Sequence, residues 1–179
     1  MVRSARDDDA DAIEVVLIEA FEADDRPAAL VRALRASPAH LPELELVAER
    51  GGVVVGHVVL SRVHVVDATR ARHPVLALSP LSVRVAVQRT GVGGALVLEA
   101  LSRADASGEP LVTVEGHPSY YPRFGFGLAR ELGVTMALPN WAPPEAAMAR
   151  LRPRTRHWPQ GRLEYPAAFE TVLEEEQLP

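Results

Sequence analysis

The 179-residue chain contains neither cysteine nor lysine. Without cysteine there can be no disulfide, no thiolate nucleophile and no Cys-type zinc site. Without lysine the protein has no side-chain amine for a Schiff base and no Walker A phosphate loop, which requires that residue. All 19 basic residues are therefore arginine, set against 24 acidic ones, and the net charge of −5 gives nonspecific nucleic-acid binding no global support. Long apolar runs are also missing. No stretch reaches the roughly 18 residues of a membrane helix. The first residues, Met1 to Ile13, are acidic and lack the apolar region of a secretory signal. The expectation is a cytoplasmic protein with no nucleic-acid or membrane partner, although zero cysteine would also suit an oxidising compartment.

What is present describes one globular domain. Hydrophobic residues make up 47% and charged residues 24% of the chain. A domain of this length buries roughly 70% of the surface its unfolded chain exposes, so it needs no metal to hold it together. Val2 to Arg6 reads as a short strand. A helix follows with Ile13, Val16, Leu17, Ala20 and Phe21 on one face, and Asp7, Asp8 and Asp9 supply its N-cap and favourable first-turn charge. A second helix starts near Pro27, buries Leu30, Val31 and Leu34, and stops at Ser37-Pro38. Leu44 to Glu49 and Val53 to Val66 form a hairpin about Gly51-Gly52, and Val75 to Val87 is a third apolar run. A helix from about Gly91 to Ser107 buries Val97, Ala100, Leu101 and Ala104 and ends at Gly108. Leu111 to Glu115 is a strand, Tyr120 to Phe124 a short helix or turn, and Gly125-Phe126 leads into a further strand. In the proline-rich tail, Pro144 to Arg150 reads as a helix and Arg162 to Tyr165 as a strand. The order β-α-α-β-β-β-α-β-α-β predicts an α/β or α+β domain with a mixed sheet.

The informative segment runs from Leu81 to Leu96. A buried strand enters a polar turn, and glycines then open a helix. The first turn of a helix leaves backbone N–H groups without partners and carries partial positive charge. Glycines let an anion come close to those groups, so the corner suits a pyrophosphate. A dinucleotide fingerprint needs a third glycine where Leu96 stands, but Glu115 lies near the distance expected of a ribose-binding acid, so a nucleotide module stays open. Arg150, Arg152, Arg154, Arg156, His157 and Arg162 cluster near Trp158. They read as a solvated face or as an anion contact.

Gln88-Arg89-Thr90-Gly91-Val92-Gly93 resembles the Q/R-x-x-G-x-G/A acyl-coenzyme A motif of GNAT acetyltransferases. Downstream, Tyr121-Pro122-Arg123-Phe124-Gly125-Phe126 resembles the Y-x-x-x-G-F element of the same superfamily. The longer string from Gly116 to Phe126 is similar to a branch of predicted bacterial N-acetyltransferases with a C-terminal extension. The resemblance implies a GNAT-like mixed, mostly antiparallel twisted sheet of six to seven strands with helices on both faces. It implies an acetyltransferase core over 1–135 and an extension over 136–179 on the same domain. Where many relatives carry asparagine after the next strand, this chain has Gly116-His117.

The same resemblance implies direct transfer of an acetyl group from acetyl-CoA to a small-molecule or peptide amine, without a metal. A homodimer is left open. Main-chain groups of Leu81 and Val83 would pair with the pantetheine arm. The N–H groups of Gln88, Arg89, Thr90, Gly91, Val92, Gly93 and Gly94 would hold the pyrophosphate, and an N–H near Ser82 or Val83 would face the thioester oxygen. Pro80, with no N–H, interrupts the ladder where the sheet splays. Tyr121 is expected to act as general acid, with Tyr120 pointing elsewhere in a structural role. Deprotonating a lysine-like amine of pKa about 10.4 at pH 7 costs about 4.6 kcal/mol, and an α-amine near 7.8 only about 1 kcal/mol. Glu115 is the first candidate base and His117 the second. Glu22, Asp24 and Asp25 could attract a cationic substrate. A non-catalytic acyl-CoA-binding regulatory domain is the competing expectation.

Overall fold

The computed structural model describes residues 1–170. The chain opens with strand β1 (Val2–Ser4), helices α1 (Ala10–Ala20) and α2 (Arg26–Arg35), and strands β2 (Glu45–Arg50), β3 (Val53–Val66) and β4 (Arg72–Val83). Helix α3 (Val92–Ala106) and strand β5 (Leu111–Glu115) follow. The remainder is short strands: β6 (Gly127–Leu128), β7 (Val134–Thr135), β8 (Ala147–Leu151) and β9 (Gly161–Glu164). The main path of the sheet runs β1-β2-β3-β4-β5-β8-β6, while β9 pairs with both β3 and β7. Among the described strands only β4–β5 and β7–β9 are parallel. The described sheet has nine strands rather than six to seven, because two of them are two residues long and β8 forms where a helix is expected.

Alternation along the strands divides the core into two layers. Val59, Val63, Val65, Val75 and Ala77 pack against Ile13, Val16 and Leu17 of α1 and Leu30, Val31 and Leu34 of α2. Val58, Leu60, Leu76 and Leu78 pack on the other face, against Leu96, Val97, Ala100, Leu101 and Ala104 of α3. A period of two in the strands meeting a period near 3.6 in the helices produces this arrangement. The hairpin turn is as expected, with Gly51 and Gly52 both at positive φ. Gly108 closes α3 with φ +83 while its N–H and that of Glu109 reach back to Asp105 and Ala104.

Two local expectations are corrected. The three aspartates form a single 3₁₀ turn before α1, and no side chain caps that helix. Asp9 is drawn instead to the Arg3 guanidinium through two hydrogen bonds of 2.6 and 2.9 Å, and it also accepts the N–H of Arg6. A charged, two-point partner outcompetes a cap. The expected helix from Pro144 to Arg150 is a short 3₁₀ turn followed by β8, which pairs along the whole of β5. The tertiary demand of the β5 edge overrides the helix-forming character of Ala, Met, Arg and Leu.

The feature that positions the site is where β4 leaves its neighbours. Against β3 the register slips between Val58 and Leu60, opposite Ser79-Pro80. Against β5 only Leu76–Val112 and Ala77–Thr113 pair. Beyond those pairs the ends of β4 and β5 border a cleft.

Candidate active site

The corner between β4 and α3 is fixed from several sides. Glu19 of α1 accepts hydrogen bonds from Arg84 Nε at 2.8 Å and from the N–H of Val85 at 2.9 Å. A 3₁₀ turn over Val85–Val87 follows. The Gln88 amide donates to the carbonyl of Val83, and Thr90 Oγ1 donates to that of Val87 at 2.7 Å. Arg89 and Gly91 both hold positive φ, and Gly91 is the N-cap of α3 with no side-chain cap bond. The first N–H groups of α3 therefore face a corner lined by glycine rather than by a capping oxygen.

A cavity of 570 Å³ lies at this corner. Leu81, Ser82, Val83, Gln88, Arg89, Gly91, Gly93 and Gly94 all line it. Thr90 and Val92 do not. They border a separate 220 Å³ hollow beside β1 and β2, because the Thr90 hydroxyl closes the turn and Val92 is buried in the core. A second cavity, of 740 Å³, shares Phe21, Leu81, Gln88 and Tyr120 with the first, so the two are contiguous. Tyr121, Glu115, His117, Ser79 and Pro80 line the second, joined by Asp24 and Trp141.

Tyr121 is 8% exposed and meets Tyr120 and Phe126 edge-on, with centroids 5.0 and 5.6 Å apart. Gly116 is required beneath it, since a Cβ at that position would overlap the ring. Burial pushes the Tyr121 phenol above its ordinary pKa, and Tyr120 adds to this. The hydroxyl is thus neutral and able to donate. Glu115, at the end of β5, accepts the Tyr165 hydroxyl at 2.6 Å. The Tyr165 phenol is held well above its usual value by burial and by this carboxylate.

The expectation that Tyr120 points elsewhere is not met. Its hydroxyl lies against Gly93, where a Cβ would come within 2.7 Å, and its ring borders both cavities. Arg123 stacks over that ring at 4.4 Å and donates to the Tyr120 carbonyl, which turns the side chain toward the loop. Of the acidic residues between α1 and α2, Asp24 lines the second cavity while Glu22 and Asp25 line neither of the two, and the Asp24 carboxylate is taken up by Arg26 at 2.7 Å. The arginine cluster is divided. Arg150 pairs with Asp105, Arg162 pairs with Glu164, and Trp158 Nε1 donates to Leu132. None of them lines either cavity. Nothing local in the sequence marks Glu19, Tyr165 or Trp141 as site residues, since their partners and neighbours lie far along the chain. Phe21 was legible only as an apolar helix face. Among the described residues no group of three or more His, Asp or Glu is placed to hold a metal. No helix among them is long and apolar enough to cross a membrane.

The corner fits a diphosphate-bearing group on the structure's own terms. Gly91 and Gly93 leave room that side chains would fill, and an uncapped helix start supplies donors. Comparison with known proteins gives the family. A family model for the acetyltransferase (GNAT) domain matches residues 1–129. The Escherichia coli (strain K12) protein named Uncharacterized N-acetyltransferase YjhQ is 34% identical over 119 residues, which is 66% of this chain and 64% of that protein. The match thus spans just under two thirds of that relative. The structure of the GNAT family N-acetyltransferase YhbS from Escherichia coli, in complex with CoA, superposes with a TM-score of 0.83 at 28% identity. It covers 95% of this chain and 91% of that one. A GNAT family acetyltransferase from Brucella melitensis, in complex with acetyl-CoA, gives 0.76 at 30% identity, with 94% and 97% covered.

Proposed function

This chain belongs to the GNAT acetyltransferase family, and from that premise we propose that it transfers an acetyl group from acetyl-CoA to a primary amine by direct attack. The observation that carries the proposal is the continuity of two cavities. One contains the glycine-lined start of α3, and the other contains Tyr121 and Glu115. Donor and acceptor can then meet where the two join, at Leu81 and Tyr120.

Each part of the site has a task. First-turn N–H groups of α3, with the loop from Gln88, hold the diphosphate. The main chain of Leu81 and Val83 aligns the donor's extended arm as an added strand. An N–H at Ser82 or Val83 faces the carbonyl oxygen as it gains charge, and a donor so placed typically contributes about 2.7–4 kcal/mol. Glu115 removes the proton of the acceptor amine, directly or through water, with His117 as the alternative on the same wall. Tyr121 returns a proton to the departing thiolate. Burial keeps its phenol protonated, so the transfer needs the charge that develops on sulfur. With no cysteine to form an acyl-enzyme, attack in a ternary complex is the matching route. Residues 136–170, the described part of the extension expected over 136–179, belong to the same domain as the core, a reading supported by the pairing of β8 with β5 and of β9 with β3.

The test is to incubate the protein and a metabolite and peptide extract with isotope-labelled acetyl-CoA, then search for labelled products by mass spectrometry. Labelled amides are expected, and Tyr121→Phe should reduce their rate at least about tenfold while leaving acetyl-CoA affinity within about twofold. Normal rates in Tyr121→Phe would remove Tyr121 from the chemistry. Firm donor binding with no product from any extract would leave a binding domain on the same fold.

A further inference from the structure

Ser82 of β4 lines the first cavity and is 2% exposed, yet its Oγ has no hydrogen-bond partner among the described residues. Directly across the ladder stands His57 of β3, in register with Ser82 and completely buried, and its Nδ1 also has no partner among them. Residues opposed across an antiparallel pair share a face, with Cβ atoms about 4.5–5.5 Å apart. Two residues, each with an orphaned polar atom, therefore stand side by side on one face of the sheet beneath the wall of the donor channel. Either one is costly to bury alone.

The other side of the imidazole is well held. His57 Nε2 lies 2.9 Å from Glu45 Oε1. Burial favours the neutral form of the Glu45 carboxyl. Hydrogen bonds from His57 and Arg35, and the charge of Arg35, outweigh it and bring the group down to about 2. The ionised carboxylate can only accept, so Nε2 carries the hydrogen. Burial holds the His57 ring below its ordinary pKa, which leaves Nδ1 as a bare acceptor. The charged and titratable groups facing this ring are Glu45 of β2, Arg35 of α2 and His40 of the connecting loop, and the last two bond Glu45 at 2.8 and 2.7 Å.

We propose that His57 Nδ1 accepts the Ser82 hydroxyl, through one water or after a change of the Ser82 rotamer, and so fixes the stretch of β4 that receives the thioester, with Glu45 holding the ring in the matching tautomer. His57 is then a positioning residue acting through Ser82. The inference rests on the donor site proposed above. It has a pH signature: protonating His57 turns its acceptor into a donor, and the link to Ser82 is lost on the acid side.

The experiment uses the full chain, acetyl-CoA as the probe, and the variants Ser82→Ala and His57→Gln. The glutamine amide keeps a donor to Glu45 and loses the Nδ1 acceptor. Nitrogen NMR of the imidazoles, with the His57 signal assigned by its loss in His57→Gln, should show an Nε2–H tautomer whose Nδ1 resonance moves in Ser82→Ala and on adding acetyl-CoA. Calorimetry should show each variant weakening acetyl-CoA roughly two- to tenfold, the loss of one neutral hydrogen bond. The affinity of wild type should fall as pH drops through the His57 titration, while that of His57→Gln stays flat. Unchanged affinity and an unmoved Nδ1 signal in Ser82→Ala would overturn the link. Absence of any heat from acetyl-CoA in wild type would instead overturn the donor site itself.

Discussion

Gly93 occupies a position where side chains do not fit. A Cβ there would lie 2.7 Å from the Tyr120 hydroxyl and 3.5 Å from Val83, and it would stand in front of the first N–H groups of α3. Gly93→Val should therefore weaken acetyl-CoA by at least about tenfold in calorimetry, about 1.4 kcal/mol, with a smaller effect on Tm, since the hydroxyl end of Tyr120 can swing aside. Equal affinity in the variant would mean that the helix start is not the anion site. Tyr120 itself shows what the sequence conceals at this scale. Two adjacent tyrosines are indistinguishable by type. Only the stacking of Arg123 and the 3₁₀ turn over Tyr121–Phe124 decide that one ring faces the loop while its neighbour sinks against Phe126. Glu115 and Tyr121 were singled out as reactive groups from the sequence, but Tyr165, 50 residues from Glu115, had no local signal to reveal it.

Among the elements, the strand, loop and helix from β4 to α3 were the most legible, because every determinant is local: β-branched residues, a polar turn, glycines at the cap and a 3.6-residue apolar face. The tail was least legible. Ala147–Leu151 carries good helix formers, and nothing nearby in sequence announces that β5 needs a second partner. The aspartates ahead of α1 follow the same rule, since the decisive partner of Asp9 is Arg3 on another element. The β2–α2 junction carries a consequence for stability. Glu45 is held at about 2 in the fold, well under its ordinary 4.5. A depressed carboxylate contributes stability that is complete above the unfolded value and is lost as pH falls from there through about 2. The neutral, buried His57 acts in the same direction, beginning below its ordinary value of 6.5. Urea denaturation from pH 7 to pH 3 should show a steep acid loss in wild type, on the order of 2 kcal/mol from Glu45, and a flatter profile from a lower starting stability in Glu45→Gln. Parallel profiles would show that the Glu45 carboxylate is not held this way.

For the molecule as a whole, one sheet carries two unlike duties. Its two faces bury α1 and α2 on one side and α3 on the other. Its middle opens where β4 outruns its pairing with β5. The fold class and the general place of the site follow from alternation and one glycine-rich corner; the shape of the cleft depends on Pro80, Trp141 and Arg26, brought together from distant segments. The claim on which the rest depends is that main-chain amides at the start of α3 grip the diphosphate of acetyl-CoA. Titration calorimetry of the full chain with acetyl-CoA, paired with a thermal melt, tests it most directly. One-to-one binding is predicted, with a stabilisation of about 2.7 kcal/mol at a ligand concentration of about 100 Kd and a rise in Tm of roughly 5–10 °C. No heat and no shift in Tm would contradict it.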